Sequence, residues 1–395
     1  MKNLETLIRE LCPDGVEFVK LGDVCKISRG KVYSKKYLAE HIGEYPVYSS
    51  QTANDGILGK IGTYDCDGKF LTWTTDGAYA GTVFYRQGKF SVTNVCGLIS
   101  CSNPILSLKF LYYWLTIEAP KHVHQGMGNP KLMSNQMAKI EIPLPPIDVQ
   151  TEIVRILDKF TSLEAELEAE LDCRKRQYEY YRDKLLSFDN EGGQEVEWKK
   201  MSEVGTFIRG NGLQKKDFTE EGVGCIHYGQ LYTHYGTSAT ETITYCSSEL
   251  AKKLRKAAKG DIVIATTSEN VEDVCKAVAW LGEEEIAVSG DAFIYKHTQN
   301  PKYMAYLFQT ASFFNYKKKK ATGTKVIRLT GDAMGNYLAP IPSLEDQHRI
   351  VSILDRFESL TTSLQSGLPA EIAARRQQYE YYRDKLLTFK RKGVA

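Results

Sequence analysis

Lys317, Lys318, Lys319 and Lys320 stand in a row, and Lys325 and Arg328 follow closely. They belong to a window, residues 292–331, that holds eight basic side chains and no acid; the other two are Lys296 and Lys302. A second window, residues 77–140, sets one acid, Glu118, against Arg86, Lys89, Lys109, Lys121, Lys131 and Lys139. The chain as a whole is nearly neutral, at +2 over 395 residues, so these windows are local accumulations. Clustered Lys and Arg neutralise phosphates, and neighbouring Asn, Gln, Ser and Arg side chains can read base edges. A lysine run alone is equally well explained as a solvated loop. The same place being basic twice argues for a nucleic-acid face.

The two basic segments are PKHVHQGMGNPKLM (120–133) and KKKKATGTKVIRLT (317–330). They align at Gly126/Gly323 and Lys131/Arg328, with Lys121 near Lys318. Candidate DNA contacts in the first are Lys121, His122, His124, Gln125, Asn129 and Lys131. Those in the second are Lys317 to Lys320, Thr324, Lys325 and Arg328. Further candidates are Arg29, Lys31, Lys35, Lys36, Thr74, Thr75 and Arg86 in the first half of the chain. Arg209, Lys215, Lys216, Thr266 and Thr267 are the candidates in the second half.

Signatures of catalysis are missing. There is no G-x-x-x-x-G-K-[ST] phosphate loop and no usable G-x-G-x-x-G. His122 and His124 lack matching carboxylates or a third ligand, so a metal site is not expected. Asn103-Pro104 and Asn129-Pro130 lack the Asn-Pro-Pro-aromatic pattern of amino-methyltransferases. The nine cysteines form no C-x-x-C and no zinc spacing, which fits reduced thiols. The first residues, MKNLETLIRELCPDG, lack the apolar core of a leader, and no run of eighteen apolar residues suggests a membrane span.

An internal repeat must position these residues. QYEYYRDKLLSF (177–188) returns as QYEYYRDKLLTF (378–389). IPLPPIDVQTEIVRILDKF (142–160) resembles APIPSLEDQHRIVSILDRF (339–357), matching Pro143 with Pro340, Pro145 with Pro342 and Gln150 with Gln347. VEFVKLGDVCKISRG (16–30) echoes VEWKKMSEVGTFIRG (196–210). The order is A–B–A′–B′, with divergent A segments (about 16–147 and 195–344) and similar B segments. LETLIRELCPDGVEF also echoes DKLLSFDNEGGQEVEW, which places the two chain ends together. Duplication of this kind predicts a pseudo-twofold molecule.

Each A segment mixes strand-like runs, FLTWTTDGAYAGTVFYRQGKF and KGDIVIATTSENVEDVCKAVAWLG, with a helix-like stretch at 105–119 or 301–316. That pattern predicts a mixed α/β domain. The B segments predict long helices. Apolar residues at 153, 156, 160, 163, 167, 171, 178, 181 and 185 step by threes and fours, with Arg174 filling one gap. As one helix, residues 148–188 would span about 60 Å. The second helical segment repeats the seam at Ile350, Ile353, Phe357, Leu360, Leu364, Leu368, Ile372, Tyr379, Tyr382 and Leu386. It is four residues longer, and Gly367 and Pro369 should kink or break it. The two seams most simply pack antiparallel. The duplicated Tyr178, Tyr181, Arg182 and Tyr379, Tyr382, Arg383 are either core trim or docking surfaces offered twice, to two copies of one partner; repeated aromatic and Arg residues favour docking.

These repeated motifs resemble the specificity subunit of type I restriction–modification enzymes, along the whole length. The resemblance is carried by the two QYEYYRDKLL stretches, by GLPAEIAARRQQYEYYRDKLL (367–387) and by the two P-x-P-x-x-x-x-Q…IV-x-ILD-[KR]-F elements. It implies an α/β (α+β) fold: two similar mixed α/β target recognition domains joined by two long antiparallel coiled-coil helices. The implied division is 1–147 and 191–344 for the recognition domains, 148–190 and 345–395 for the helical spacers. Each domain would read half of a bipartite site on double-stranded DNA. The helices would set the spacing and dock two modification (methyltransferase) subunits, with restriction/translocase subunits joining through the complex. The chain would be cytoplasmic and non-catalytic, with no cofactor of its own. Adenine methylation, S-adenosylmethionine, ATP and Mg2+ would belong to partner subunits. The four-residue difference between the helical segments leaves the helix register open. Two other classes stay open at this point: a lone nuclease or methyltransferase, and a coiled-coil scaffold without DNA affinity.

Overall fold

The computed structural model of the chain describes residues 4–125, 128–188, 196–363 and 366–393. Gly126 and Leu364, named above in the loop alignment and the apolar seam, lie outside the described residues. The chain divides into two compact units. The first comprises residues 1–167 and 372–395, the second residues 168–371.

The first unit is built on a six-stranded sheet. Its strands run in the order Lys26–Arg29, Cys96–Ser100, Cys66–Thr74, Val83–Val92, Ile42–Tyr48 and Ile57–Ile61. The pairings are antiparallel except Ile42–Tyr48 with Val83–Val92, which is parallel. The second unit repeats the first four places of that order with Gly205–Arg209, Ala292–His297, Ile262–Ala265 and Ala277–Trp280. It then adds a second five-stranded sheet of short strands. A two-stranded ladder closes each unit: Glu17–Lys20 with Glu141–Leu144, and Glu197–Lys200 with Leu338–Ile341. The echo between VEFVK and VEWKK therefore marks the same edge of two homologous domains.

Helices cover the sheets, and their apolar faces form the cores. Phe110, Leu111, Tyr113 and Leu115 are buried on Leu108–Glu118. Tyr303 to Leu307 are buried on Pro301–Leu307. The sequence pattern at 301–316 suggests one helix, but there are two. Pro301–Leu307 ends, Thr310 caps a second helix by accepting from the Phe313 amide, and that helix runs Ala311–Lys320. The four lysines are thus its last turn rather than part of a loop, a place where cations favour the helix dipole.

The second motif of the repeat explains itself as an anchor. Gln150 is fully buried; its Oε1 accepts from the Ser107 amide at 2.8 Å, and its Nε2 donates to the Ile105 and Pro145 carbonyls. Gln347 does the same with the Asn300 amide at 2.9 Å and the Pro342 carbonyl. Asp158 accepts from the Tyr113 hydroxyl, and Asp355 from the Tyr306 hydroxyl. Burial pushes both tyrosines up, so they stay protonated donors. Each helical segment is pinned to its own domain by one amide and one carboxylate.

Ile147–Ser187 is a single helix of 41 residues, about 60 Å by its rise. It starts after Pro145-Pro146 and contains no Gly or Pro. Its first part belongs to the first unit and its last part to the second. The second segment is broken as the glycine and proline require: Leu344–Thr362 stops and Leu368–Leu386 restarts. In the first unit, Phe160 stacks on Tyr382 at 5.4 Å, and Glu164 pairs with Arg376. The partner numbers fall as the helix numbers rise, so these two helix portions run antiparallel. In the second unit the equivalent stack is Tyr181 on Phe357, at 5.6 Å. The chain's two ends meet inside the first unit: the Val16 amide donates to the Lys390 carbonyl, and the Lys392 amide to the Val16 carbonyl.

Candidate nucleic-acid interface

In both units the basic segment folds back on itself and is stitched to the end of the central strand. In the second unit, Thr267–Ser268 pairs antiparallel with Ile327–Arg328. Arg328 also exchanges both backbone hydrogen bonds with Thr322, at 2.8 and 3.0 Å. Gly323 makes this hairpin possible: its φ is +106°, and a Cβ there would stand 2.0 Å from the Val326 carbonyl oxygen. In the first unit, Lys131 exchanges both bonds with His124 and bridges to Asp76. The Leu132 amide then donates to the Thr75 carbonyl, as the Leu329 amide does to that of Thr266. Lys131 and Arg328 are structural equivalents, as their alignment suggests. The same ladder equates Thr75 with Thr266, and Asp76 with Thr267.

Lys121, His122, His124, Gln125, Asn129 and Lys131 are all exposed on the first hairpin or leading into it. Lys121 and His122 share one partner, Glu118, at 2.8 and 3.1 Å. Burial pushes the Glu118 carboxyl up, but these two hydrogen bonds hold it below its ordinary value. Arg29 reaches Ser134 and Met133, just past this hairpin. Lys31 is paired with Asp65, and Lys36 with Glu40 beside the exposed Lys35. In the second unit Lys318, Lys319, Lys320, Thr324, Lys325 and Arg328 are exposed around the hairpin. Arg209 donates to the Gly290 carbonyl and faces Asp291, whose carbonyl accepts from Thr266. Lys215 and Lys216 are exposed on a separate short turn.

Several candidates point inward instead. Lys317 is 5% exposed, and its Nζ donates to the Glu272 and Val274 carbonyls, both at 2.7 Å. Burial pushes its pKa down. The reason is helical spacing: Lys317 lies one turn after buried Phe313, on the core face. Arg86 is also buried, paired with Asp55 at 2.5 Å and lying 3.8 Å over the Tyr48 ring. Thr74, Thr75 and Thr266 are buried with their hydroxyls on backbone carbonyls. Neither Lys317 nor Arg86 is free to meet a phosphate.

The repeated tyrosine motif needs a similar correction. Tyr178 donates to Gln309, and Tyr379 packs against the first unit's core. Arg182 and Arg383 are largely covered and lie over those two rings, and Tyr181 and Tyr382 stack on Phe357 and Phe160. Tyr181 and Tyr382 keep an exposed edge, and the side chains that project furthest are Tyr180 and Tyr381, 60% and 61% exposed. The repeat contained them; only helical phase distinguishes them from their neighbours. Among the described residues no group of three His, Cys, Asp or Glu side chains could hold a metal, and no helix is long and apolar enough to cross a membrane.

Comparison with known proteins agrees with this duplicated architecture. Residues 13–172 and 194–374 match the family described as type I restriction modification DNA specificity domain. A putative type I specificity subunit of Mycoplasma pneumoniae is 32% identical over 367 residues, which is 93% of this chain and 96% of that protein. The EcoR124I/EcoR124II specificity subunit of Escherichia coli is 36% identical over 299 residues, 73% of each chain. The crystal structure of the type I restriction–modification S subunit from M. genitalium shares the fold, with a TM-score of 0.55 at 15% identity over 94% of this chain and 96% of that one.

Proposed function

The chain belongs to the type I restriction–modification DNA specificity family, and on that premise we propose that each unit reads one half of a bipartite site on double-stranded DNA. The observation that carries the proposal is the basic hairpin stitched to the central strand twice, through Lys131 and through Arg328. A hairpin held at its base by a ladder presents its tip and flanking cations on a rigid support, which suits groove reading with phosphate anchoring. The helical segments act as spacer between the half-sites and carry the docking points for two modification subunits. Methyl transfer to adenine, with S-adenosylmethionine, and translocation and cleavage, with ATP and Mg2+, are the work of those partners. This chain contributes recognition, and no chemical step.

The test is domain exchange. The full chain, assembled with modification subunits, methylates a motif that long-read sequencing maps. Replacing residues 16–147 by the equivalent segment of another family member changes one half of that motif. A change in both halves would refute independent reading.

A further inference from the structure

Buried polar groups are almost always paired, because an unpaired one gives up its hydrogen bonds to water for nothing. Among the described residues two buried side-chain atoms have no partner, Thr267 Oγ1 and His297 Nε2. Thr267 is 5% exposed and lies in the wall of a cavity of about 450 Å3 beside the basic hairpin. Tyr228 and Tyr232 supply aromatic surface to the same cavity. The Tyr232 hydroxyl donates to the Thr267 carbonyl at 2.7 Å, which fixes the wall. Val326, on the hairpin itself, closes one side.

The charges of the cavity and of its rim are opposite. Glu269 and Asp273 line the cavity, so a phosphate is unwelcome there. Asp273 is held by Asn270, side chain to side chain at 2.7 Å. Glu269 is exposed and has no hydrogen bond or ion pair among the described residues. Lys325 and Arg328 stand outside on the hairpin, and Arg328 is ladder-paired to Thr267. The backbone phosphates therefore belong to the rim and something uncharged, flat and proton-donating to the cavity.

We propose that this cavity reads one nucleobase of the second half-site and selects a base that offers an amino group on its major-groove edge, cytosine or adenine. The inference rests on the DNA-reading role proposed above. Glu269 accepts an amino proton at the base edge, and Tyr228 and Tyr232 form the aromatic wall beside it. Guanine O6 or thymine O4 in that place would set acceptor against carboxylate. In the first unit the position of Thr267 is occupied by Asp76, a carboxylate in place of a hydroxyl. The two units thus carry different chemistry at one equivalent point, as two different half-sites require.

The experiment selects from randomised duplexes with the full-length chain assembled with modification subunits, and sequences what is enriched. The wild type enriches a bipartite motif with C or A at one position of the second half. Glu269→Gln relaxes that position roughly tenfold to a hundredfold and leaves the first half intact. Thr267→Val removes a buried hydroxyl with no internal partner, so it raises the thermal unfolding midpoint and leaves the motif as it is. The two variants separate a reading side chain, Glu269, from one that only supports the wall, Thr267. A wild-type motif left unchanged by Glu269→Gln overturns the cavity assignment alone. So does an even loss of affinity across all sequences, or a G or T at the position that Glu269→Gln affects. A wild type that enriches no motif overturns the DNA-reading proposal itself, and this inference with it.

Discussion

Four adjacent lysines divide into one structural residue and three surface ones, and the division can be measured. Lys317→Ala removes an ammonium that satisfies two carbonyls, Glu272 and Val274. It should cost roughly 1–3 kcal/mol in urea unfolding, the range for stranding buried acceptors. Lys318→Ala, Lys319→Ala and Lys320→Ala should each stay within about 0.5 kcal/mol of wild type. Each should instead lower the slope of log affinity against log salt by about 0.9, if it meets a phosphate. A Lys317→Ala protein of unchanged stability and reduced salt slope would return Lys317 to the DNA face. The sequence contains what separates the four, since Phe313 and Lys317 are one helical turn apart. That spacing has meaning only once the helix is known to continue through the lysines, and a charged run beside Gly323 suggests a loop. Arg86 is hidden for a related reason. Its exposure follows from which face of the sheet it occupies, and its partner Asp55 is set by folding, with no motif to announce it.

At the scale of elements, the helices were legible because their period is sustained. Leu163, Leu167, Leu171, Arg174 and Tyr178 are half-buried along the predicted seam, and the helix restarts at Leu368, between Gly367 and Pro369, after stopping at Thr362. The strand order was not legible, because sheet pairing is nonlocal. The two-residue ladder Thr267–Ser268 with Ile327–Arg328 is too short to carry any alternation. The helical legibility supports a ruler test. Phe160 and Glu164 make their contacts in the first unit, while Tyr178 and Tyr181 make theirs in the second. Duplicating Glu164–Leu167 inserts four residues between these sets, about 6 Å of helix with a drift of about 40°. The protein should stay folded, and its methylated motif should keep both halves with a spacer longer by one to two base pairs of about 3.4 Å. Inserting two residues turns the seam by about 200° and should unfold the pairing. An active four-residue variant with the original spacer would leave the helices as docking surfaces only.

At the scale of the whole molecule, duplication explains why one motif can be both internal and external. In QYEYYRDKLL, most of the tyrosines and arginines are used to hold a helix to its own unit, and this happens once in each unit. The most exposed ring is the same in both copies, Tyr180 and Tyr381, each edge-on to the stacked tyrosine beside it. Two identical exposed aromatics in homologous settings fit two copies of one partner better than one large partner. Tyr180→Ala and Tyr381→Ala should therefore each release one modification subunit. Native mass spectrometry should show a shift from two modification subunits per chain to one, with affinity at the altered point falling roughly thirtyfold for a contact worth about 2 kcal/mol. The double variant should lose both subunits. Thermal unfolding of the chain should not change, because neither ring is part of a core. Tyr181→Ala is the contrasting variant: it removes the stack on Phe357, and should lower the unfolding midpoint before it affects stoichiometry. Single variants at 180 and 381 that retain two subunits would place docking elsewhere on the helices, and would reduce the repeated motif to a device for building each unit.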